Sequence, residues 1–96
     1  MGDGRAVSAA EIEAALLALA AARGPDRSID PSEVARTLAG DDPNAWGRLM
    51  GAVRRAAVRL MKEGRVTILR KGKPVDPDDF RGVYRIRIVG PHNGDD

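Results

Sequence analysis

The apolar residues of this chain change their spacing once, at Gly64. Before it they recur three or four positions apart, as on one face of a helix; after it they alternate, as on one face of a strand. Ser8 and Glu11 have the spacing of a capping box, and Ile12, Ala15, Leu16, Leu19 and Ala20 follow at helical intervals up to Gly24-Pro25, which predicts a helix over 9–23. Asp30-Pro31-Ser32-Glu33 is a second helix start, with Asp30 as the cap and Pro31 at the first helical position, and Gly40 closes that helix at 31–39. Asp41–Asn44 is a turn. Trp46, Leu49, Met50, Val53, Ala57, Leu60 and Met61 then keep the helical period for four turns, which predicts one long helix. Gly47 and Gly51 each weaken it by about 1 kcal/mol relative to Ala.

Beyond Gly64, Val66 and Ile68 alternate with Arg65 and Thr67, and Tyr84, Ile86 and Ile88 alternate with Arg85 and Arg87. These are two half-buried strands. The stretch between them, 70–82, holds glycine, proline and charges of both signs and reads as a long hairpin loop. Ile29, alone among polar neighbours, fits a very short strand or an extended lead-in. Three helices followed by a two-stranded wing is the order of a winged helix-turn-helix, a mainly α fold with a β-hairpin (α+β). With 96 residues there is material for one core. The domain is expected at 8–89, with a flexible leader at 1–7 and a disordered tail at 90–96. Aromatics are 3% of the chain, so the core must be mostly aliphatic, and Trp46 falls on the apolar side of its helix.

Several classes of function are excluded. Without cysteine there is no disulfide framework, thiolate metal site or cysteine nucleophile. No apolar run spans a membrane, and the Ala/Leu-rich stretch 14–22 follows Glu11 and Glu13, where a secretory signal wants positive charge. The expected location is the cytoplasm, and the expected state a monomer. His92 is the single histidine and lies in the Gly-containing tail, away from Ser8, Ser28 and Ser32. That leaves no base–nucleophile pair, so no enzyme, no cofactor and no small-molecule substrate are expected. Asp76, Asp78 and Asp79 lack the spacing of a calcium loop and read as a capped turn, so no metal is expected either.

Net charge is only +2, but it is unevenly spread. Residues 48–73 hold nine basic side chains and one acidic, while 1–47 hold four basic and eight acidic. On a helical wheel Arg48, Arg55, Arg59 and Lys62 fall within about 40° of one line, opposite the apolar face, and no acid from the helix falls among them. A stripe of one sign fits contact with an anion; a solvated helix face is the alternative. Arg70, Lys71 and Lys73, around Gly72, form a second cluster where a wing would project. They could meet phosphates, or keep a hairpin tip soluble; the nearby Asp76, Asp78 and Asp79 argue in part for the second, and both readings stand.

The words Pro31-Ser32-Glu33-Val34-Ala35-Arg36, Arg54-Arg55-Ala56-Ala57, Lys71-Gly72-Lys73-Pro74-Val75-Asp76-Pro77 and Arg81-Gly82-Val83-Tyr84-Arg85-Ile86-Arg87-Ile88 resemble a bacterial family of short proteins known as domain of unknown function 3253. The resemblance covers about 11–88 and implies a winged-helix fold but no established activity. Members often have Cys where this chain has Asp30, and nothing here matches the cysteine-rich segment of some relatives.

The expected function is nucleic-acid binding, to DNA rather than RNA. Arg48, Arg55, Arg59 and Lys62 would lie in or along the major groove, and Arg70, Lys71 and Lys73 on the backbone. The alternative is a winged-helix module that docks a protein partner through its wing loop, which two prolines stiffen.

Overall fold

The first two helix starts in this chain are written by side chains that satisfy free backbone amides. In the computed structural model, which describes residues 7–90, Ser8 Oγ accepts from the Glu11 amide at 3.1 Å and the Glu11 carboxylate accepts from the Ser8 amide at 2.8 Å. They open α1, Ala9–Arg23. Asp30 caps α2, Pro31–Ala39, by accepting from the Ser32 amide at 2.8 Å, and Glu33 accepts from the Asp30 amide at 2.9 Å. The other oxygen of Glu33 accepts from Arg23 Nη2 at 2.7 Å, and Arg23 Nη1 donates to the Ser28 carbonyl at 2.9 Å. The end of α1 is thereby tied to the start of α2. Both helices occupy the ranges expected of them.

The long third helix is instead two. A short α3, Pro43–Gly47, is capped by Asp42, and α4 runs Met50–Lys62. Arg48 and Leu49 make the turn between them, where the Leu49 amide bonds back only three residues, to the Trp46 carbonyl at 3.0 Å. Gly47 stands at the break, and no side chain caps α4. The unbroken apolar period hid this, because a tight turn keeps roughly the same side chains on the same face. Trp46 is accordingly not a core residue. It is half-buried, packed on the rim of the core with the Arg36 guanidinium 5.8 Å from its ring centroid.

The expected long loop 70–82 is also more structured than its composition foretold. Strand β1, Val66–Arg70, reverses through Lys71-Gly72 into β2, Lys73–Pro74. Lys71 has φ of 52° and Gly72 of 81°, positive at both central positions of a two-residue turn, and this twist matches that of the flanking strands. Arg70 pairs with Lys73 and Leu69 with Pro74, and the Val75 amide continues the ladder to the Ile68 carbonyl at 3.0 Å. The chain then crosses to the other edge of β1, where β3, Arg85–Ile88, pairs antiparallel with Val66 opposite Ile88 and Ile68 opposite Ile86. The sheet order is β2-β1-β3. Ile29 adds a one-residue bridge to β3, exchanging two hydrogen bonds with Ile86 at 2.8 and 3.0 Å.

Among the described residues the fold is therefore α+β, with four helices and a three-stranded antiparallel sheet, an arrangement compatible with a winged helix whose wing carries an extra strand. Ile12, Leu16, Val34, Val53, Leu60, Ile68 and Ile86 are fully buried between helices and sheet, and Ala20, Ala35, Ala56 and Ala57 let the helices approach closely. Val7 packs against this core. The remainder of the expected leader and tail, 1–6 and 91–96, lies outside the described residues.

Candidate nucleic-acid interface

Helix α4 buries Val53, Ala56, Ala57 and Leu60 and turns Arg55, Arg59 and Lys62 outward. α1 packs along one side of this strip, and Asp78, in the segment that leaves β2, reaches its end. Both carry an acid to the cations. Arg59 Nε donates to Glu13 Oε2 at 2.7 Å, and Lys62 Nζ lies 2.6 Å from Asp78 Oδ1. The strip that is free of acids within its own helix is thus met by two from elsewhere in the fold. These pairs are solvent-exposed and of the kind that contributes about 0–1 kcal/mol, so a polyanion can displace the carboxylates.

Arg55 is exposed and makes no hydrogen bond or ion pair among the described residues; its Nη1 lies over Gly51, 3.5 Å from where a β-carbon would stand. Arg48 is exposed too, but it belongs to the α3–α4 turn, so it is not on the α4 strip as a continuous helix would require.

The wing cluster divides. Lys71 and Lys73 are exposed and unpaired at the tip of the β1–β2 hairpin. Arg70 is half-buried and holds the crossing segment, its Nη1 donating to the Val83 carbonyl at 2.8 Å beneath Gly82. Gly82 has φ of 84°, and a β-carbon there would collide with Arg70 Nη1. Arg70 is a structural arginine. Asp76 caps the following turn, accepting from the Asp78 amide at 2.9 Å through its side chain and from the Asp79 amide at 3.0 Å through its carbonyl.

A second structural arginine was not among the expected site residues. Arg54 Nη2 donates to the Phe80 carbonyl at 2.6 Å, and its guanidinium carbon lies 3.8 Å from the Phe80 ring centroid and 5.9 Å from that of Tyr84. The two rings meet edge-to-face at 5.4 Å. On the wheel Arg54 sits at the flank of the apolar face, the one available signal; its partner is far along the chain. Tyr84 is buried, its hydroxyl has no hydrogen-bond partner among the described residues, and burial pushes its pKa up to about 12, against the opposing pull of Arg54 and with a smaller upward push from Asp30. Among the described residues no three His, Cys, Asp or Glu side chains gather as metal ligands, and no helix is long and apolar enough to cross a membrane. His92 lies outside the described residues.

The family model described as Protein of unknown function (DUF3253) matches residues 9–89, from the first residue of α1 to just past β3. The chain belongs to this family. No curated protein matches it. All seven expected contact residues, and the two structural arginines, lie within the DUF3253 match. The family brings no assigned activity, so the reading of the DUF3253 surface rests on its geometry.

Proposed function

We propose that the chain is a non-enzymatic nucleic-acid-binding protein that takes duplex DNA along the outward strip of α4. Arg48, Arg55, Lys71 and Lys73 are its first contacts, and Arg59 and Lys62 join once Glu13 and Asp78 are displaced. The observation that carries this reading is that those four cations are exposed and unpaired among the described residues, on the helix, its leading turn and a projecting hairpin, whereas Arg23, Arg54, Arg70 and Arg85 hold backbone carbonyls. Arg70 leaves the contact set because its guanidinium already holds the Val83 carbonyl. DNA is favoured over RNA because an exposed helix fits the B-form major groove and not the narrow A-form one. A cytoplasmic monomer accords with this reading.

The test is a titration of mixed-sequence duplex at several salt concentrations. Four unpaired cations should give a log–log salt slope of roughly −3 to −4. No detectable binding at about 50 mM salt overturns the reading, because backbone contacts are strongest there.

A further inference from the structure

Among the described residues, Val83 and Val89 are the large apolar side chains that stand exposed, and Val83, at 80%, is the more so. Val83 is not on a loose loop. Its carbonyl is held by Arg70, Gly82 before it turns with positive φ, and Tyr84 after it is buried. A single exposed valine is ordinary, and what sets Val83 apart is that it stands between apolar-walled hollows.

Val83 forms a ridge between two hollows, and Gly82, Val83 and Tyr84 line both. One, of about 370 Å³, lies against Asp30, Pro31 and Met50 at the starts of α2 and α4. The other, of about 420 Å³, has Leu69 in its wall and is bordered by Arg70, Lys71 and Arg85. Each is large enough for an aliphatic or aromatic side chain. The border charge is unbalanced. Arg70 donates to a neutral carbonyl, Lys71 has no partner among the described residues, and Arg85 donates to the Ser28 carbonyl and hydroxyl, with Asp30 3.9 Å from its Nη1. Asp30 is itself occupied in capping α2.

We propose that this face docks a short acidic segment of a partner protein, which seats a large apolar side chain between Pro31, Met50 and Val83 and places Asp or Glu opposite Lys71 and Arg85. Charge complementarity selects the occupant: an apolar anchor alone would leave Lys71 without a counterion and Arg85 with only the distant Asp30, and acidic side chains flanking the anchor supply the missing charge. The proposed site is centred on Val83 and not on the outward strip of α4, and it shares only Lys71, at the hairpin tip, with the DNA-binding reading.

The test is selection of random dodecapeptides displayed on phage against the immobilised full chain at about 0.15 M salt, where surface attraction is screened beyond about 8 Å. Recovered peptides should share a Leu, Ile, Phe or Met next to two or more acidic residues. Val83→Asp should weaken them at least tenfold while leaving the thermal midpoint unchanged, since the side chain is exposed. Lys71→Ala should weaken them severalfold. Recovery of no shared pattern, equal binding to Val83→Asp and parent, or loss of the peptides on Arg55→Ala together with displacement by duplex DNA would each overturn the proposal. A failure of DNA binding alone leaves these readouts unaffected and sinks only the other reading.

Discussion

Arg54 grips Phe80 twice: its guanidinium lies 3.8 Å from the ring centroid while Nη2 donates at 2.6 Å to the carbonyl of the same residue. One side chain thus fixes both the ring and the backbone of the segment that carries the chain from β2 to β3. Removal would cost the ring contact and leave a carbonyl short of its charged donor. Arg54→Ala should lower stability by about 2–3 kcal/mol. Arg54→Lys should recover part of that, since it keeps the charge but loses the planar fork. Urea titration measures both; a loss below about 0.5 kcal/mol, within the range of an ordinary surface change, would show that the grip is incidental.

Tyr84 makes stability depend on alkaline pH. Burial holds its hydroxyl neutral up to about 12 in the folded chain, against about 10 when exposed, so stability is independent of this group below pH 10 and falls as pH rises toward 12, where the unfolded chain alone ionises readily. The loss should amount to roughly 2–3 kcal/mol by pH 12. Tyr84→Phe should flatten that decline, and at pH 7 should be neutral or stabilising because it removes a buried hydroxyl without a partner. A steeper alkaline decline in the variant than in the parent would contradict the assignment.

The carboxylates beside the α4 strip compete with any polyanion. Glu13→Gln and Asp78→Asn should each raise DNA affinity about two- to fivefold at low salt, the size of one exposed ion pair. Arg55→Ala should reduce the salt slope by about one, and Arg59→Ala by less, since Arg59 begins with a counterion inside the protein. Fluorescence anisotropy across a salt series separates these outcomes; weaker binding by the two acid-to-amide variants would rule the competition out.

Trp46 should behave as a rim residue. Trp46→Ala should cost about 1–2 kcal/mol, well under the 3–5 kcal/mol typical of a fully buried tryptophan. A loss above about 3 kcal/mol in a denaturant titration would place it in the core after all.

Much of this architecture was legible because it is written locally. Ser8 with Glu11, and Asp30 with Pro31 and Glu33, announce their helices over four residues, and the alternation of Ile86 and Ile88 with Arg85 and Arg87 announces a strand. What escaped depends on partners far apart in the chain or on backbone dihedrals. The break at Arg48-Leu49 keeps the apolar face aligned. The Lys71-Gly72 turn reads as ordinary basic loop until both φ values are known. Of the site, the exposure of Arg55, Lys71 and Lys73 was readable from spacing; the diversion of Arg59 and Lys62 to acids, and of Arg70 to a carbonyl, was not. The composition of a helix face counts only its own charges.

The bridge between Ile29 and Ile86 has a kinetic meaning. The β1–β2 hairpin closes through two residues and can form early, but β3 gains its outer partner only after the chain from α1 to the wing has been brought round. Folding should therefore proceed in one step limited by that closure. The Ile29 and Ile86 amides, each donating to the other's carbonyl across more than half of the chain, should exchange with deuterium as slowly as the deepest core, opening only when the whole domain opens.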